Sequence, residues 1–153
     1  MNQREAPGII FHGIYLLQLK YETNMEFQGQ LMMPNIEIGY SHKIHEPKAQ
    51  NQRQALECRM VLRLNTQQES PPFKLELELA ARFEATGEGG YPLEKFAEIQ
   101  APAYMMPYAR ELVSNLTNRG IYPVLNLPPI NVQTLMQHQH EDSVVQERQT
   151  PQL

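Results

Sequence analysis

Apolar and polar residues alternate most strictly between Phe73 and Glu84. Every odd-numbered position in this segment carries an apolar side chain, and all of the even-numbered positions except Ala80 carry a charged one. Because successive side chains of a β-strand point to opposite faces, this alternation predicts a strand with one buried face and one face in water. The glycine-rich residues 87–90 predict the end of that strand.

Alternation with a period of two residues also predicts three strands earlier in the chain. The second, over residues 31–40, contains Pro34, which lacks a backbone N–H and therefore favours a bulge or a strand at the edge of the sheet. The third covers residues 57–64, with apolar side chains at its even positions. The first covers residues 9–22 and is predicted to place these apolar side chains on one side: Phe11, Tyr15, Leu17, Leu19 and Tyr21.

Helical spacing of apolar residues is found only after the strands. Residues 91–99 predict a short helix that ends before Pro102. A second helix is predicted to begin at Pro107, which suits a first helical turn, and to close through a left-handed residue at Gly120. Asn131 is positioned to cap a third helix. Four strands followed by helices predict an antiparallel α+β fold.

Composition narrows the class of protein. The chain has 153 residues, of which 41% are hydrophobic and 20% charged, and this fits one globular domain. The formal net charge of −4 argues against a nucleic-acid partner. With a single cysteine, no signal peptide and no membrane-spanning run, the sequence predicts a cytoplasmic protein without direct membrane insertion. Residues 1–8 are expected to be flexible, and the polar residues 137–153 to form a disordered tail.

Residues that could support catalysis do not form a recognisable site. His42 and His45 are close in sequence, as are His138 and His140, but two ligands do not make a zinc site, and their polar surroundings predict loop and tail histidines. Cys58 alternates with apolar strand residues, which predicts a buried thiol rather than a nucleophile. We therefore predict no catalytic residue, no metal and no cofactor, and we do not expect an enzyme.

One segment carries a family resemblance. It consists of Pro107-Tyr108-Ala109-Arg110-Glu111, then Asn118-Arg119-Gly120, then Pro123-Val124-Leu125-Asn126-Leu127-Pro128-Pro129-Ile130-Asn131. These residues resemble the signature region of the SecB family, bacterial export chaperones that hold precursor proteins unfolded before translocation. The resemblance implies one SecB-like domain over residues 9–136, with C-terminal helices packed on one side of a four-stranded antiparallel sheet. It also implies a homotetramer built as a dimer of dimers.

The function implied by the resemblance is an ATP-independent holdase that binds unfolded or precursor polypeptides. Such a protein needs adaptable apolar surfaces, and several segments here hold Met, Leu and Ile residues that nearby prolines are expected to keep out of regular pairing. Each of these residues could instead close the monomer core or an interface between subunits. The candidate client-binding residues are Met32, Met33, Ile36, Ile38, Met105, Met106, Leu125, Leu127 and Ile130.

The resemblance also implies a delivery step, because the SecB family docks the acidic outer face of its sheet on the motor protein SecA. The matching residues here are Glu22 and Glu76. Gln18 stands where the family usually has an aspartate, and Lys74 adds a positive charge beside these acids. These departures favour an alternative within the family, a SecB-like chaperone dedicated to one client such as an antitoxin.

An alternative from another class is a small α+β ligand-binding or enzyme domain. It would need a concave polar site with converging titratable groups. The sequence offers no such set.

Overall fold

The computed structural model describes residues 8–87, 91–129 and 131. Within them the chain forms β1 (Ile9–Thr23), β2 (Ile36–His45), β3 (Ala55–Leu64), β4 (Phe73–Ala85) and α1 (Leu93–Thr117). All neighbouring strands are antiparallel, in the order β1-β4-β3-β2. The predicted antiparallel α+β fold is confirmed. The predicted tail and the helix expected after Asn131 lie outside the described residues, as does nearly all of the predicted flexible N-terminus.

Residues 24–35 connect the two opposite edges of the sheet, because β1 and β2 are its outermost strands. We call residues 24–35 the crossover segment. Pro34 lies in it, two residues before the start of edge strand β2. The strand predicted over residues 31–40 therefore begins later and runs further, as β2, and Pro34 lies outside it. The predicted edge position of that strand is confirmed.

The two faces of the sheet differ as the alternation predicts. In the central strands β3 and β4, residues that pair across the sheet share a face, and one face is apolar and covered by α1. We call the opposite, charged face the outer face. The core beneath α1 is built mainly from Leu56, Cys58, Met60, Leu62, Leu64, Leu75, Leu77, Leu79, Ala81 and Phe83.

Strand β1 departs from the predicted alternation. Its register against β4 shifts twice, between Phe11 and Gly13 and between Leu16 and Gln18. Each extra residue inverts the alternation, so Tyr15 lies opposite Ala80 on the outer face. The prediction that Tyr15 shares a face with Phe11 is wrong. Gly13 has a φ of +144°, a conformation that favours glycine and accommodates the first shift.

Helix α1 is one continuous helix, where the sequence predicted two. Pro102 and Pro107 both lie inside it. A proline in a helix interior costs about 3 kcal/mol, because a backbone hydrogen bond is lost and the ring clashes with the preceding turn. Packing offsets this cost. The buried residues that face the sheet recur at every fourth position, and they are Ala97, Ala101, Met105, Ala109, Val113 and Thr117.

Gly120 has a different role from the predicted one. The helix ends at Thr117, its cap Asn118 has right-handed geometry, and Gly120 is not among the glycines with positive φ. A Cβ at Gly120 would lie 2.8 Å from the hydroxyl oxygen of Tyr21. Gly120 therefore serves a close approach between the chain after α1 and β1, and the prediction of a left-handed helix terminus is wrong.

Cys58 is a core thiol, as predicted. Its side chain is fully buried, and its Sγ lies 3.2 Å from the Tyr40 hydroxyl, which also donates a hydrogen bond to the Ala97 carbonyl of α1. Burial raises the pKa of the Cys58 thiol to about 11. The thiol is therefore protonated at neutral pH and unsuited to nucleophilic attack.

Candidate functional site

The crossover segment carries the most exposed large apolar side chains of the described chain. Met32 is 81% exposed and Met33 is 61% exposed. Exposed apolar residues also occur just after α1. We call the following set the crossover surface: Met25, Leu31, Met32, Met33, Ile121 and Val124.

The start of the crossover segment is fixed to its surroundings. The backbone N–H of Asn24 donates to the Pro72 carbonyl at 2.9 Å, and the Tyr122 hydroxyl donates to the Asn24 carbonyl. The ring of Phe27 packs edge-on against Tyr122, with centroids 6.0 Å apart. These contacts join the crossover segment to the chain after α1, so the two parts of the crossover surface belong to one region.

The end of the crossover segment is fixed by Asn65, which follows β3. The Asn65 backbone N–H donates to the Asn35 carbonyl at 3.0 Å, and its side-chain oxygen accepts from the Asn35 N–H at 3.1 Å. Its side-chain amide donates to the Phe73 carbonyl at 3.1 Å. Sequence reasoning missed Asn65, although an asparagine directly after an apolar strand is a recognisable signal for a local backbone contact. The exposed methionines thus lie between two anchored ends.

The extended chain after α1 is held by a polar stripe on the helix. Thr117 Oγ1 accepts from the Leu125 N–H at 2.9 Å, Ser114 Oγ donates to the Leu125 carbonyl at 3.4 Å, and Arg110 Nε donates to the Leu127 carbonyl at 3.2 Å. Residues 110, 114 and 117 share one helix face because they are spaced by four and three positions. Their positioning role was not predicted, although that spacing could have revealed it.

The structure separates the predicted client-binding residues. Met32 and Met33 are exposed, and Ile130 lies outside the described residues. The expectation that proline keeps these residues out of regular structure is wrong for four of them, since Ile36 and Ile38 lie in β2 and Met105 and Met106 in α1. The residues that pack in or against the core are Ile36, Ile38, Met105, Met106, Leu125 and Leu127.

A second exposed apolar set lies on β1. It consists of Tyr15, Leu16, Leu17 and Leu19. Strand β1 pairs with β4 along one edge, and no strand of the described residues pairs with its other edge. We call these four residues the β1 edge surface. An edge strand with apolar side chains is a template for pairing with another chain.

The outer face carries charges that alternate from strand to strand. One row across the sheet reads Lys20, Glu76, Arg63 and Glu37, as the register places them opposite one another. Arg63 Nε lies 3.1 Å from Glu76 Oε1. Opposite charges on neighbouring strands stabilise this register and leave each carboxylate close to a cation.

Across the outer face the charges balance. Glu22, one of the predicted docking residues, lies opposite Lys74, and the other, Glu76, is paired with Arg63. With neutral histidines, six acids and six bases give no net charge to this face. They are Glu22, Glu37, Glu57, Glu76, Glu78 and Glu84 against Lys20, Lys43, Arg59, Arg63, Lys74 and Arg82.

The described histidines are not loop residues, contrary to the prediction for His42 and His45, which lie in β2. Among residues 8–87, 91–129 and 131, no group of three or more His, Cys, Asp or Glu side chains could hold a metal ion. Within the same ranges, no helix combines the length and the apolarity needed to cross a bilayer. Each described histidine pairs with a glutamate: His12 with Glu84 at 3.3 Å, His42 with Glu94 at 2.9 Å and His45 with Glu57 at 3.5 Å.

The sequence of this chain is similar to those of curated bacterial proteins. A Haemophilus ducreyi protein named Protein-export protein SecB is 37% identical over 83 residues, which are 52% of this chain and 48% of that protein. The chain therefore matches about half the length of this relative. A Cellvibrio japonicus protein of the same name is 28% identical over 154 aligned positions, covering 92% of this chain and 90% of that protein.

The fold of this chain is similar to that of a solved structure, and its sequence matches the model of a protein family. A Mycobacterium tuberculosis SecB-like chaperone, solved in complex with a ChAD peptide from an antitoxin, superposes with a TM-score of 0.55 at 21% identity. The match covers 80% of this chain and 91% of that one. The family described as preprotein translocase subunit SecB matches residues 2–143. This chain therefore belongs to the SecB family.

Proposed function

We propose that the protein is an ATP-independent holdase that binds unfolded precursor polypeptides and keeps them competent for export. Membership of the SecB family supports this function. The observation that carries it is the crossover surface, where exposed methionines lie between two anchored chain ends. We propose this surface, with Met32 and Met33 at its centre, as the first contact for client chains.

The chemistry of the crossover surface suits many clients. Burial of apolar surface stabilises a complex by about 25 cal/mol per Å² without reading a sequence. Methionine side chains are flexible and polarisable, so they adapt to different apolar partners. The predicted groove residues that are buried in the monomer, such as Ile38 and Met105, would reach a client only after rearrangement of the core. Our proposal therefore gives them a supporting role beneath the surface.

The proposed assembly is a homotetramer, a dimer of dimers, acting in the cytoplasm. The β1 edge surface supports self-association, because its apolar side chains lie beside an edge of β1 that pairs with no other strand in the described part of the chain. Gel filtration with light scattering is expected to give the tetramer mass at micromolar concentration. A monomer mass under those conditions would contradict this part of the proposal.

The experiment that tests the holdase activity is the dilution of a chemically denatured protein into buffer containing this chain and no nucleotide. Aggregation of the denatured protein is followed by light scattering. Suppression at a near-stoichiometric ratio of tetramer is the expected result. Unsuppressed aggregation of several unrelated substrates would show that the chain is not a general holdase.

A second candidate function is supported by the outer face. A chaperone dedicated to one client, such as an antitoxin, has no need to hand cargo to SecA. The outer face is balanced in charge, and Glu22 and Glu76 face the cations Lys74 and Arg63. This arrangement gives a SecA partner little uncompensated negative charge to recognise. Saturable binding of SecA that is weakened by Glu22→Gln and Glu76→Gln would favour general export, and its absence would favour the dedicated client.

A further inference from the structure

An open cleft lies where the β2–β3 connection, residues 46–54, meets the outer face of the sheet. Its volume is about 580 Å³, and its walls include Lys48, Arg53 and Arg82. The connection is ordered by its own hydrogen bonds, since the Lys48 N–H donates to Gln52 Oε1 at 2.8 Å. The cleft is therefore built from a defined loop set against a sheet strand.

The acidic and basic side chains that line the cleft differ in whether they have a polar partner. Glu46 accepts a hydrogen bond from the Gln54 side-chain amide at 2.8 Å. Glu84 lies 3.3 Å from His12 Nε2. In contrast, no carboxylate of the described chain lies within salt-bridge distance, 4.0 Å, of the three cations of the cleft, Lys48, Arg53 and Arg82. The cleft thus presents three exposed cations that form no salt bridge among the described residues, although Arg82 lies opposite Glu57 in the sheet register. Beside them are two carboxylates that each have a polar partner.

We propose that this cleft binds a carboxylate-rich segment of polypeptide. Arginine offers paired N–H donors that match a carboxylate, and two arginines with a lysine can hold successive acidic side chains. A volume of about 580 Å³ is larger than one inorganic anion needs, and the lining contains no Phe, Tyr or Trp on which a nucleotide base could stack. Glu46 and Glu84 oppose a densely charged polyanion but tolerate acidic residues separated by neutral ones.

The cleft is independent of the proposed holdase surface. The crossover segment runs past the β3–β4 turn, at the end of the sheet where β1 ends, whereas the cleft lies at the end where β1 begins. The cleft also differs in charge from the outer face, whose acids and bases are equal in number. The β2–β3 connection adds two cations, Lys48 and Arg53, and one acid, Glu46. A client held at the crossover surface and an acidic segment held in the cleft would use different residues and different forces.

The test uses a short fluorescein-labelled peptide of alternating glutamate and glycine, titrated with the full chain while anisotropy is recorded. The same peptide with glutamine in place of glutamate is the ligand control. Arg53→Gln/Arg82→Gln removes two charges from the cleft, and both side chains are exposed and form no salt bridge among the described residues, so the fold is expected to be retained. Lys20→Gln/Arg119→Gln removes the same charge elsewhere and is the protein control.

The glutamate peptide is expected to bind saturably, with affinity about tenfold lower in the cleft variant and unchanged in the control variant. Glu84→Gln removes an opposing carboxylate and is expected to strengthen binding. Equal binding of the glutamine peptide, equal losses in both double variants, or tighter competition by inorganic phosphate than by free glutamate peptide would overturn the proposal. Failure of this binding would leave aggregation suppression untouched, so the two functions are separable.

Discussion

Two methionine pairs that look alike in the sequence have opposite surroundings in the structure. Met32-Met33 directly precedes a proline and so does Met105-Met106. The first pair is 81% and 61% exposed on the crossover segment, whereas the second is 0% and 5% exposed within α1. The difference lies in the neighbours. Met105 belongs to the stripe of buried α1 residues that faces the sheet, and Met106 packs in the same core. Met32 and Met33 lie on a connecting segment outside that core.

Proline does not by itself keep a segment available for binding. Pro102 and Pro107 are accommodated in α1 because tertiary packing stabilises the helix by more than the prolines destabilise it. Pro34 precedes an edge strand, and among the described residues no helix covers the methionines before it. We therefore propose client contact for Met32 and Met33, whereas Met105 and Met106 are buried in the monomer core.

The largest expected effect is on the free energy of unfolding when the buried pair is made polar. Met105→Gln is expected to lower it by about 3 kcal/mol, because a polar amide without a partner would replace a fully buried thioether. Met32→Gln is the matched control and is expected to stay within about 0.5 kcal/mol of wild type. Urea unfolding measures both. Equal stability of the two variants would remove the distinction between the pairs.

The buried thiol of Cys58 predicts that the protein loses stability at alkaline pH. The pKa of Cys58 is raised by burial from 9.0 to about 11, so between these pH values the folded chain keeps a proton that the unfolded chain has lost. The free energy of unfolding should therefore fall as pH rises through this window, by on the order of 2 kcal/mol from this thiol. Cys58→Ala should lack that part of the loss, as followed by urea unfolding against pH.

The titration of Tyr40 also affects stability at alkaline pH, so the measurement needs a variant that lacks its hydroxyl. Burial also raises the pKa of its hydroxyl, which adds to the loss of stability in the same direction. Tyr40→Phe/Cys58→Ala should therefore show the weakest alkaline loss of all. A Cys58→Ala profile that parallels wild type would contradict the buried-thiol account.

Oxidation gives a direct comparison of the two methionine pairs in the wild-type chain. Methionine sulfoxide forms according to exposure, so dilute peroxide should modify Met32 and Met33 at least about tenfold faster than Met105 and Met106. Peptide mass spectrometry over time measures each rate. Comparable rates for both pairs would mean that the crossover segment is covered in solution or that α1 opens readily.

The smallest expected effect concerns the outer face. Arg63 and Glu76 form an ion pair that is partly exposed, with N and O atoms 3.1 Å apart. A double-mutant cycle with Arg63→Met and Glu76→Met is expected to give a coupling of about 0.5 kcal/mol that weakens with added salt. A coupling of several kcal/mol would show that the charge rows contribute to stability as strongly as core packing does.

The sequence foretold those features that depend on local periodicity. Strand β4 was predicted almost to the residue, because its alternation is uninterrupted and its residues need only their neighbours to define two faces. The bulges of β1 were not predicted, since register depends on the partner strand. The single helix was missed because packing against distant strands outweighs proline.

The candidate site was predicted only in part for the same reason. Exposure of Met32 and burial of Met105 depend on contacts between segments far apart in the chain. Tyr122 and Asn24 are 98 residues apart and yet fix the crossover segment together. Asn65 also acts at a distance, through its hydrogen bonds to Asn35. Short-range sequence patterns carry no information on such long-range contacts. The sequence therefore predicted both methionine pairs as client-binding residues and did not distinguish the exposed pair from the buried one.

Client binding at the crossover surface is tested by comparing two affinities for an unfolded reporter polypeptide. One is that of the wild-type chain and the other that of Met25→Ser/Met32→Ser/Met33→Ser. All three side chains are exposed, so thermal denaturation and the mass of the protein in solution should be unchanged. If clients bind there, the variant should bind the reporter about tenfold more weakly and suppress its aggregation less, since apolar area is lost from the interface. Unchanged affinity in a folded variant would contradict this proposal and place client binding elsewhere on the molecule.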